Sequence, residues 1–169
     1  ALFVTVYIIL FKKAVLAKIS KEILLGLLVA CAIHGGLGAF FSNAGISLTT
    51  VINAGFLMQF SLVITTILAW FVIREKMTLS KMITVGIIIL GSFLLMTKGR
   101  LDPPHIGDVF ILLACLAWSI GNLWVRKILK KHPVDSDIVT FLRPIAALPL
   151  LFGFIALSPF YPAQMKEVF

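Results

Sequence analysis

Three side chains, His34, Gln59 and Trp118, place hydrogen-bonding and aromatic chemistry inside stretches that are otherwise apolar. His34 could exchange a proton or bind a substrate, because imidazole titrates near neutral pH. Gln59 can both donate and accept hydrogen bonds, and Trp118 could form the wall of a cavity for an apolar substrate. Each also has a structural interpretation: an imidazole or an amide bonded to a neighbouring helix, and an indole packed in the core.

Catalytic constellations are absent from the sequence. An intramembrane enzyme would need a Ser-His or paired-Asp arrangement or an HExxH metal site, and the chain has none of these motifs. Cys31 and Cys115 lack metal-ligand spacing and are interpreted as small packing residues. The sequence therefore predicts no enzyme activity, no metal site and no cofactor.

The elements that carry these residues are long apolar stretches. Four of them lack Lys and Arg and hold only one acidic residue, Asp108: Ile23–Phe41, Val51–Ile73, Met82–Thr97 and Ile106–Val125. About 17–25 apolar residues cross the hydrocarbon core as a helix, and the third stretch, slightly short, has Lys81 and Lys98 to reach the two interfaces. A fifth stretch, Ile138–Leu157, contains Arg143, which either snorkels to the interface or is a buried charge facing a cavity.

The composition indicates the same class of protein. The chain is 60% hydrophobic and only 13% charged, against roughly 25% charged residues in soluble domains. Its net charge of +8 would favour nucleic-acid binding in a soluble chain, but here the charge is divided among short segments between apolar stretches. We therefore predict an all-α membrane protein, a polytopic helix bundle with the lipid bilayer as its partner and no nucleic acid.

Charge also predicts the orientation of the chain. Eleven of its 15 Lys and Arg residues lie in the segments 12–21, 74–81 and 126–137, whereas the segment 42–50 has none. The positive-inside rule places the three rich segments in the cytoplasm and the protein in the plasma or inner membrane. Trp70 is predicted to be an interface anchor. Glu75, between Arg74 and Lys76, is predicted to form a loop ion pair.

Depth along the helices selects the candidate substrate-binding residues. Ala32, Leu62 and Cys115 lie halfway along three of the stretches. Polar and aromatic side chains near these points are costly in lipid and are expected to face the bundle interior. Asn122 lies nearer the surface but shares a helix face with Trp118, so it is included. The candidates are His34, Gln59, Ser61, Thr65, Trp118, Ser119 and Asn122. The glycines Gly35, Gly36 and Gly38 predict a close helix crossing beside His34.

Several segments resemble a known family when they are taken in order. The run Leu68–Lys76 followed by Gly86–Leu95 resembles the end of an EamA-type repeat, which belongs to the drug/metabolite transporter superfamily. Gly107–Asp108, then Leu112–Ser119 and Arg126–Lys127, resembles the opening of a second copy. Phe141–Arg143 is similar to the start of that copy's second helix.

The resemblance implies a ten-helix transporter made of two inverted repeats, of which this chain would be an interior part. Residues 1–98 would be the first repeat without its first helix and with its second truncated at Ala1–Phe11, and residues 106–169 the start of the second repeat. The implied function is secondary transport of a small polar or amphipathic metabolite, directed outward, with the substrate near the bilayer midplane. One departure is Leu62, where family members usually have a proline.

The alternative is a non-transporting structural or assembly membrane protein. A small multidrug-type dimer would need a membrane-embedded Glu in a four-span chain, and is not favoured.

Overall fold

A computed structural model describes residues 19–97, 103–132 and 134–157 of the 169-residue chain. The expectations for the truncated helix over Ala1–Phe11, for Lys98 and for the segment after Leu157 lie outside the described residues. Within the described ranges every element of regular secondary structure is helical. The elements in chain order are α1 (Lys21–Ala32), a π-helical segment (Ile33–Leu37), α2 (Gly38–Leu48), α3 (Val51–Met58), α4 (Phe60–Ile73), α5 (Leu79–Thr97), α6 (Ile106–Lys131) and α7 (Ser136–Leu157).

These elements join into membrane-length units. Four units among the described residues are long and apolar enough to cross a membrane: Lys21–Leu48, Val51–Ile73, Ile106–Lys131 and Ser136–Phe154. A shorter apolar helix covers Leu79–Leu94. The prediction of a polytopic, all-α membrane protein is confirmed.

The first membrane unit continues well past Phe41, where its apolar stretch ends. The sequence predicts a connection between membrane helices over residues 42–50. The helix instead runs to Leu48, and only Thr49 and Thr50 connect it to the next helix. The extension is held by packing, because Ser42 is buried and an added Cβ at Gly45 would lie 2.7 Å from the Ile111 side chain. Tertiary contact with α6 thus extends the helix beyond the hydropathy boundary.

Helix α6 is the centre of the bundle. It packs against α1, the π-helical segment, α2, α3 and α4, whereas α7 packs on α1 and α5 lies mainly against α3. One apolar cluster joins α1, α6 and α7 through Leu27, Val125 and Ile138. A second joins α3 and α6 through Ala54 and Ile111. Every described membrane unit except α5 therefore shares a buried surface with α6 or with the α1–α2 unit.

Close crossings occur at the predicted glycines. A Cβ added at Gly35 would lie 3.0 Å from that of Ala147 on α7, and one at Gly38 would lie 2.3 Å from the Trp118 ring on α6. A Cβ added at Gly36 would lie 2.6 Å from the Leu150 side chain of α7. The prediction that these small residues mark helix crossings is confirmed.

The second membrane unit is interrupted near its middle although it contains no proline. The Gln59 N–H donates to the Phe56 carbonyl at 3.1 Å, and the Leu62 N–H donates to the Gln59 carbonyl at 3.1 Å. This three-residue spacing replaces the four-residue spacing of an α-helix and separates α3 from α4. Position 62 is a leucine and not a proline, but the unit is still not one continuous α-helix, because the turn at Gln59 interrupts it.

The end of α2, the start of α3 and the start of α6 meet at one end of the bundle. Asp108, in the first turn of α6, accepts hydrogen bonds from the Thr49 hydroxyl and, at 2.9 Å, from the His105 N–H. The Asn53 amide donates to the same carboxylate at 3.4 Å. Three chain segments are thereby joined around one carboxylate. At the start of α7, the Asp135 carboxylate accepts the capping bond from the Asp137 N–H at 3.2 Å.

Candidate functional site

A polar cluster from three elements lies inside the bundle, made of His34 in the π-helical segment, Asn122 on α6 and Arg143 on α7. The Arg143 Nη2 donates to the Asn122 Oδ1 at 2.9 Å, and its Nη1 lies 3.5 Å from the His34 Nε2. The other imidazole nitrogen, Nδ1, lies 3.3 Å from the Trp118 carbonyl oxygen. The three side chains are half-buried. We call this group the His–Asn–Arg cluster.

These distances fit one protonation form of His34. A neutral imidazole with its hydrogen on Nδ1 donates to the Trp118 carbonyl and leaves Nε2 free to accept from Arg143. The imidazole is thus both oriented by the backbone and in contact with a permanent positive charge. A proton or ligand that reached Nε2 would have to displace the guanidinium.

Arg143 lies about 10 Å along α7 from Ser136, by helix rise. Of the two interpretations of this residue, the structure supports the interior charge, since the guanidinium turns toward α6 and the π-helical segment and contacts two of their side chains. Its polar contacts within the described residues are neutral groups. An Arg charge inside the bundle whose contacts are all neutral is available to an anionic or electron-rich ligand.

The local backbone makes this approach possible. A Cβ added at Gly121 would lie 2.6 Å from the His34 Cβ and 2.8 Å from the Ala30 carbonyl oxygen. Only glycine therefore allows α6 to come this close to the π-helical segment, and Asn122 follows directly. A single π-helical turn inside an α-helix often marks a functional site.

A second group of predicted residues joins α4 to α6. The Thr65 hydroxyl donates to the Ser119 Oγ at 2.8 Å. Ser119 is completely buried, and its hydroxyl lies 2.7 Å from the Cys115 carbonyl and 3.2 Å from the Ser61 carbonyl. These hydrogen bonds account for the polar atoms of Ser119 and give it a helix-pairing role.

Cys115 supports the neighbouring interface between α3 and α6. Its thiol lies 3.5 Å from the Leu57 carbonyl and 3.7 Å from the Met58 carbonyl, next to the break at Gln59. A 3₁₀ turn at membrane depth leaves carbonyls without their usual helical partner, and neighbouring helices must satisfy them. Cys115 and Ser119 supply such partners, so Cys115 does more than fill space.

We expect Thr65→Val to weaken the α4–α6 interface by about 0.6–1.7 kcal/mol, the range of interhelical hydrogen bonds in membranes. Thr66→Val is the matched control, because the Thr66 hydroxyl donates to the Leu62 carbonyl of its own helix at 2.7 Å. Thermal unfolding in detergent should distinguish the two variants. Equal melting temperatures for both would show that the Thr65–Ser119 bond does not hold the helices together.

The side chains of Trp118 and Gln59, the two remaining candidates, belong to neither hydrogen-bonded group. The Trp118 ring packs over Gly38 of α2 and against the apolar cluster of Ala54, Ile111 and Cys115. Gln59 is half-buried at the break between α3 and α4. The structure thus brings His34 next to the backbone of Trp118 but not next to Gln59. A common cavity for His34, Gln59 and Trp118 stays a prediction.

A network of ion pairs around Glu75 lies at the opposite end of the bundle. The partners of Glu75 are not the basic residues next to it in the sequence. Glu75 pairs with Arg126 at 2.8 Å and with Lys81 and Lys130 at 3.3 Å, instead of with its neighbours Arg74 and Lys76. Arg74 has a φ of 54°, and this left-handed residue turns the chain at the end of α4. The hydrogen bond from Lys81, followed by the positive charges around it, lowers the pKa of the Glu75 carboxyl.

A cavity of about 230 Å³ adjoins this network. Its lining includes Trp70, Glu75, Lys76, Lys81 and Arg126, together with Thr65 from the predicted substrate residues. Within the described part of the chain, no three His, Cys, Asp or Glu side chains are grouped as ligands of a metal ion.

The fold and the buried polar contacts define a polytopic α-helical membrane protein. The EamA-like transporter family matches residues 1–97, more than half of the chain, and the chain belongs to this family of drug/metabolite-type membrane transporters. The family consists of transporters and is generally non-enzymatic. Neither a curated protein nor a solved structure matches the chain. The assignment of residues 1–98 and 106–169 to two repeats stays a prediction.

Proposed function

We propose that the protein is a secondary carrier of a small metabolite and that the His–Asn–Arg cluster is part of its substrate site. The observation that carries the proposal is the contact of Arg143 with both Asn122 and His34, which joins three separate elements inside the bundle of an EamA-family chain. Polar and ionisable side chains inside a membrane bundle are costly and are retained chiefly for function. The metabolite would be small, polar or amphipathic, and moved outward.

The break at Gln59 and the π-helical turn at Ile33–Leu37 support a transport cycle. Both interrupt regular helices near the middle of their membrane units, where inverted-repeat carriers place their substrates. A mid-helix turn of 3₁₀ type often marks a hinge, and sharp helix kinks occur at π-bulges. We infer that the two half-helix pairs move about these points as access alternates between the two sides.

Solute flux in cells that express single variants tests the substrate role: His34→Ala tests the His–Asn–Arg cluster, and Gln59→Ala and Trp118→Ala test the predicted common cavity. We expect each variant to reduce flux while its expression stays near that of the wild type. Thr66→Val, which removes a hydroxyl bonded within its own helix, is the control and should transport normally. If expression and flux fall together in all three variants, the residues are structural and the alternative, a membrane protein of structural or assembly function, is favoured.

Orientation forms a separate part of the proposal. We propose that segments 12–21, 74–81 and 126–137 face the cytoplasm of a cell whose plasma or inner membrane holds the protein. The pairing of Glu75 with Arg126 supports placement of the second and third of these segments on one side.

Single cysteines test this orientation. In a background without Cys31 and Cys115, which are both buried, Ser47→Cys should react with an impermeant thiol reagent in intact cells and Lys76→Cys should not. Both positions are exposed, so access to the reagent depends on the side of the membrane. Permeabilised cells, in which both variants should react, are the control. Labelling of Lys76→Cys alone in intact cells would invert the orientation.

A further inference from the structure

The cavity beside Glu75 carries an excess of positive charge. Lys76, Lys81 and Arg126 line it, and Glu75 is the carboxylate among them. Lys76 makes no ion pair within the described part of the chain. Even with Glu75 fully paired, the cavity keeps two more cations than anions.

Glu75 organises these cations without using up their donors. Its side chain is only 18% exposed, whereas those of Lys81 and Arg126 are 51% and 52% exposed. An ammonium group has three N–H donors and a guanidinium five, so each cation that pairs with Glu75 has donors left for a second acceptor. The carboxylate therefore gathers cations from α5 and α6 at one point and leaves them directed outward.

The surroundings of the cavity are typical of a membrane interface. Trp70 lines it and is 48% exposed, and the adjacent Phe71 is 65% exposed. Met77, just before α5, and Leu79, its first residue, are 38% and 71% exposed. Aromatic rings at this position favour the headgroup level of a bilayer, and exposed aliphatic side chains beside them favour acyl chains.

We propose that this cavity binds the phosphate group of an anionic phospholipid, with Lys76, Lys81 and Arg126 as its ligands. Phosphate oxygens accept several charge-assisted hydrogen bonds at once, which three converging cations can satisfy. A lipid is favoured over a soluble phosphate because the apolar side chains next to the cations can accommodate the acyl chains of the same molecule. Clusters of basic residues next to a membrane helix bind anionic lipid headgroups in this manner.

The proposal is tested by native mass spectrometry of the protein in a neutral detergent, with dioleoylphosphatidylglycerol as the probe. Dioleoylphosphatidylcholine and inorganic phosphate are added in parallel. The test variant is Lys81→Gln/Arg126→Gln, and the control is Lys127→Gln/Lys131→Gln, which changes the net charge equally on the same side of the bundle but outside the cavity. We expect the test variant to retain about tenfold less phosphatidylglycerol than the wild type. The amount retained by the control should be less than about twofold below that of the wild type.

The single variant Lys76→Gln keeps the Glu75 network intact and should weaken phosphatidylglycerol binding by about threefold. This variant separates loss of binding from loss of folding, because it breaks no ion pair in the described residues. Equal retention by the test and control variants would overturn the proposal. Inorganic phosphate that bound in a cavity-dependent manner, with no bound phosphatidylglycerol, would overturn the assignment to a lipid.

Discussion

Replacement of Arg143 by glutamine is expected to reduce substrate flux by about tenfold to a hundredfold. The guanidinium is a charged donor to Asn122 at 2.9 Å and lies 3.5 Å from the His34 Nε2. Hydrogen bonds to charged groups contribute about 1.5–3 kcal/mol, and glutamine removes the charge and ends two bonds short of the guanidinium nitrogens. The variant should therefore lose both the interior charge and the link between α6 and α7.

Two controls accompany this variant. Arg143→Lys keeps the charge but not the planar fork, and should retain part of the flux. Arg74→Gln removes an exposed cation at the end of α4 and should transport normally. Wild-type flux in Arg143→Gln would show that the interior charge has no part in transport, and the His–Asn–Arg cluster would then be structural.

The substitution Gly121→Ala is expected to destabilise the protein by about 1–3 kcal/mol, the usual cost of overpacking. The added methyl would lie 2.8 Å from the Ala30 carbonyl oxygen and 2.9 Å from the His34 N, which are backbone atoms that can move only with their helix. A lower melting temperature in detergent and a lower yield of folded protein should follow. His34 would also be displaced, so flux should fall in the protein that remains folded.

Gly86 provides the matched control for this prediction. A Cβ added there meets no atom within 4 Å, so Gly86→Ala adds the same methyl to a membrane helix without a clash. Alanine also favours a helix interior by about 1 kcal/mol over glycine, and this variant should therefore be neutral or slightly stabilised. If Gly121→Ala and Gly86→Ala unfold at the same temperature, α6 does not approach the π-helical segment as closely as the structure indicates.

The number and approximate position of the membrane helices could be predicted from sequence because lipid imposes a length on apolar stretches. Val51–Ile73 begins and ends where hydropathy placed it, although it is broken inside. The first unit extends past its apolar stretch because Ser42 and Gly45 pack on α6. A hydropathy profile contains no information on such contacts.

The rotation of each helix was much harder to predict. A helix that is apolar on every side lacks the polar face that orients a helix in water, so depth could be counted but direction could not. Depth alone selected His34, Gln59 and Trp118 as one site, and their common cavity stays a prediction. The structure adds the contact of His34 with Arg143 and, through Arg143, the link to Asn122. Arg143 did carry a usable signal, because no other Lys or Arg lies within the apolar stretches.

The partners of Glu75 show a related limit. Its sequence neighbours Arg74 and Lys76 are basic, but two of its three ion pairs are made with Arg126 and Lys130, more than fifty positions away. The left-handed turn at Arg74 directs Glu75 toward α6, and an arginine in that conformation gives no sequence signal comparable to glycine. Long-range pairs of this kind follow from the fold rather than from local composition.

Transport itself is tested most directly by solute flux into liposomes that contain the purified protein. A panel of small polar and amphipathic metabolites is offered to liposomes with wild-type protein, with Arg143→Gln and with no protein. We expect at least one solute to enter by a saturable process in the wild-type liposomes and to enter the Arg143→Gln liposomes about tenfold more slowly. Flux equal to that of protein-free liposomes for every solute, with protein that is folded and correctly inserted, would contradict the assignment of a carrier function.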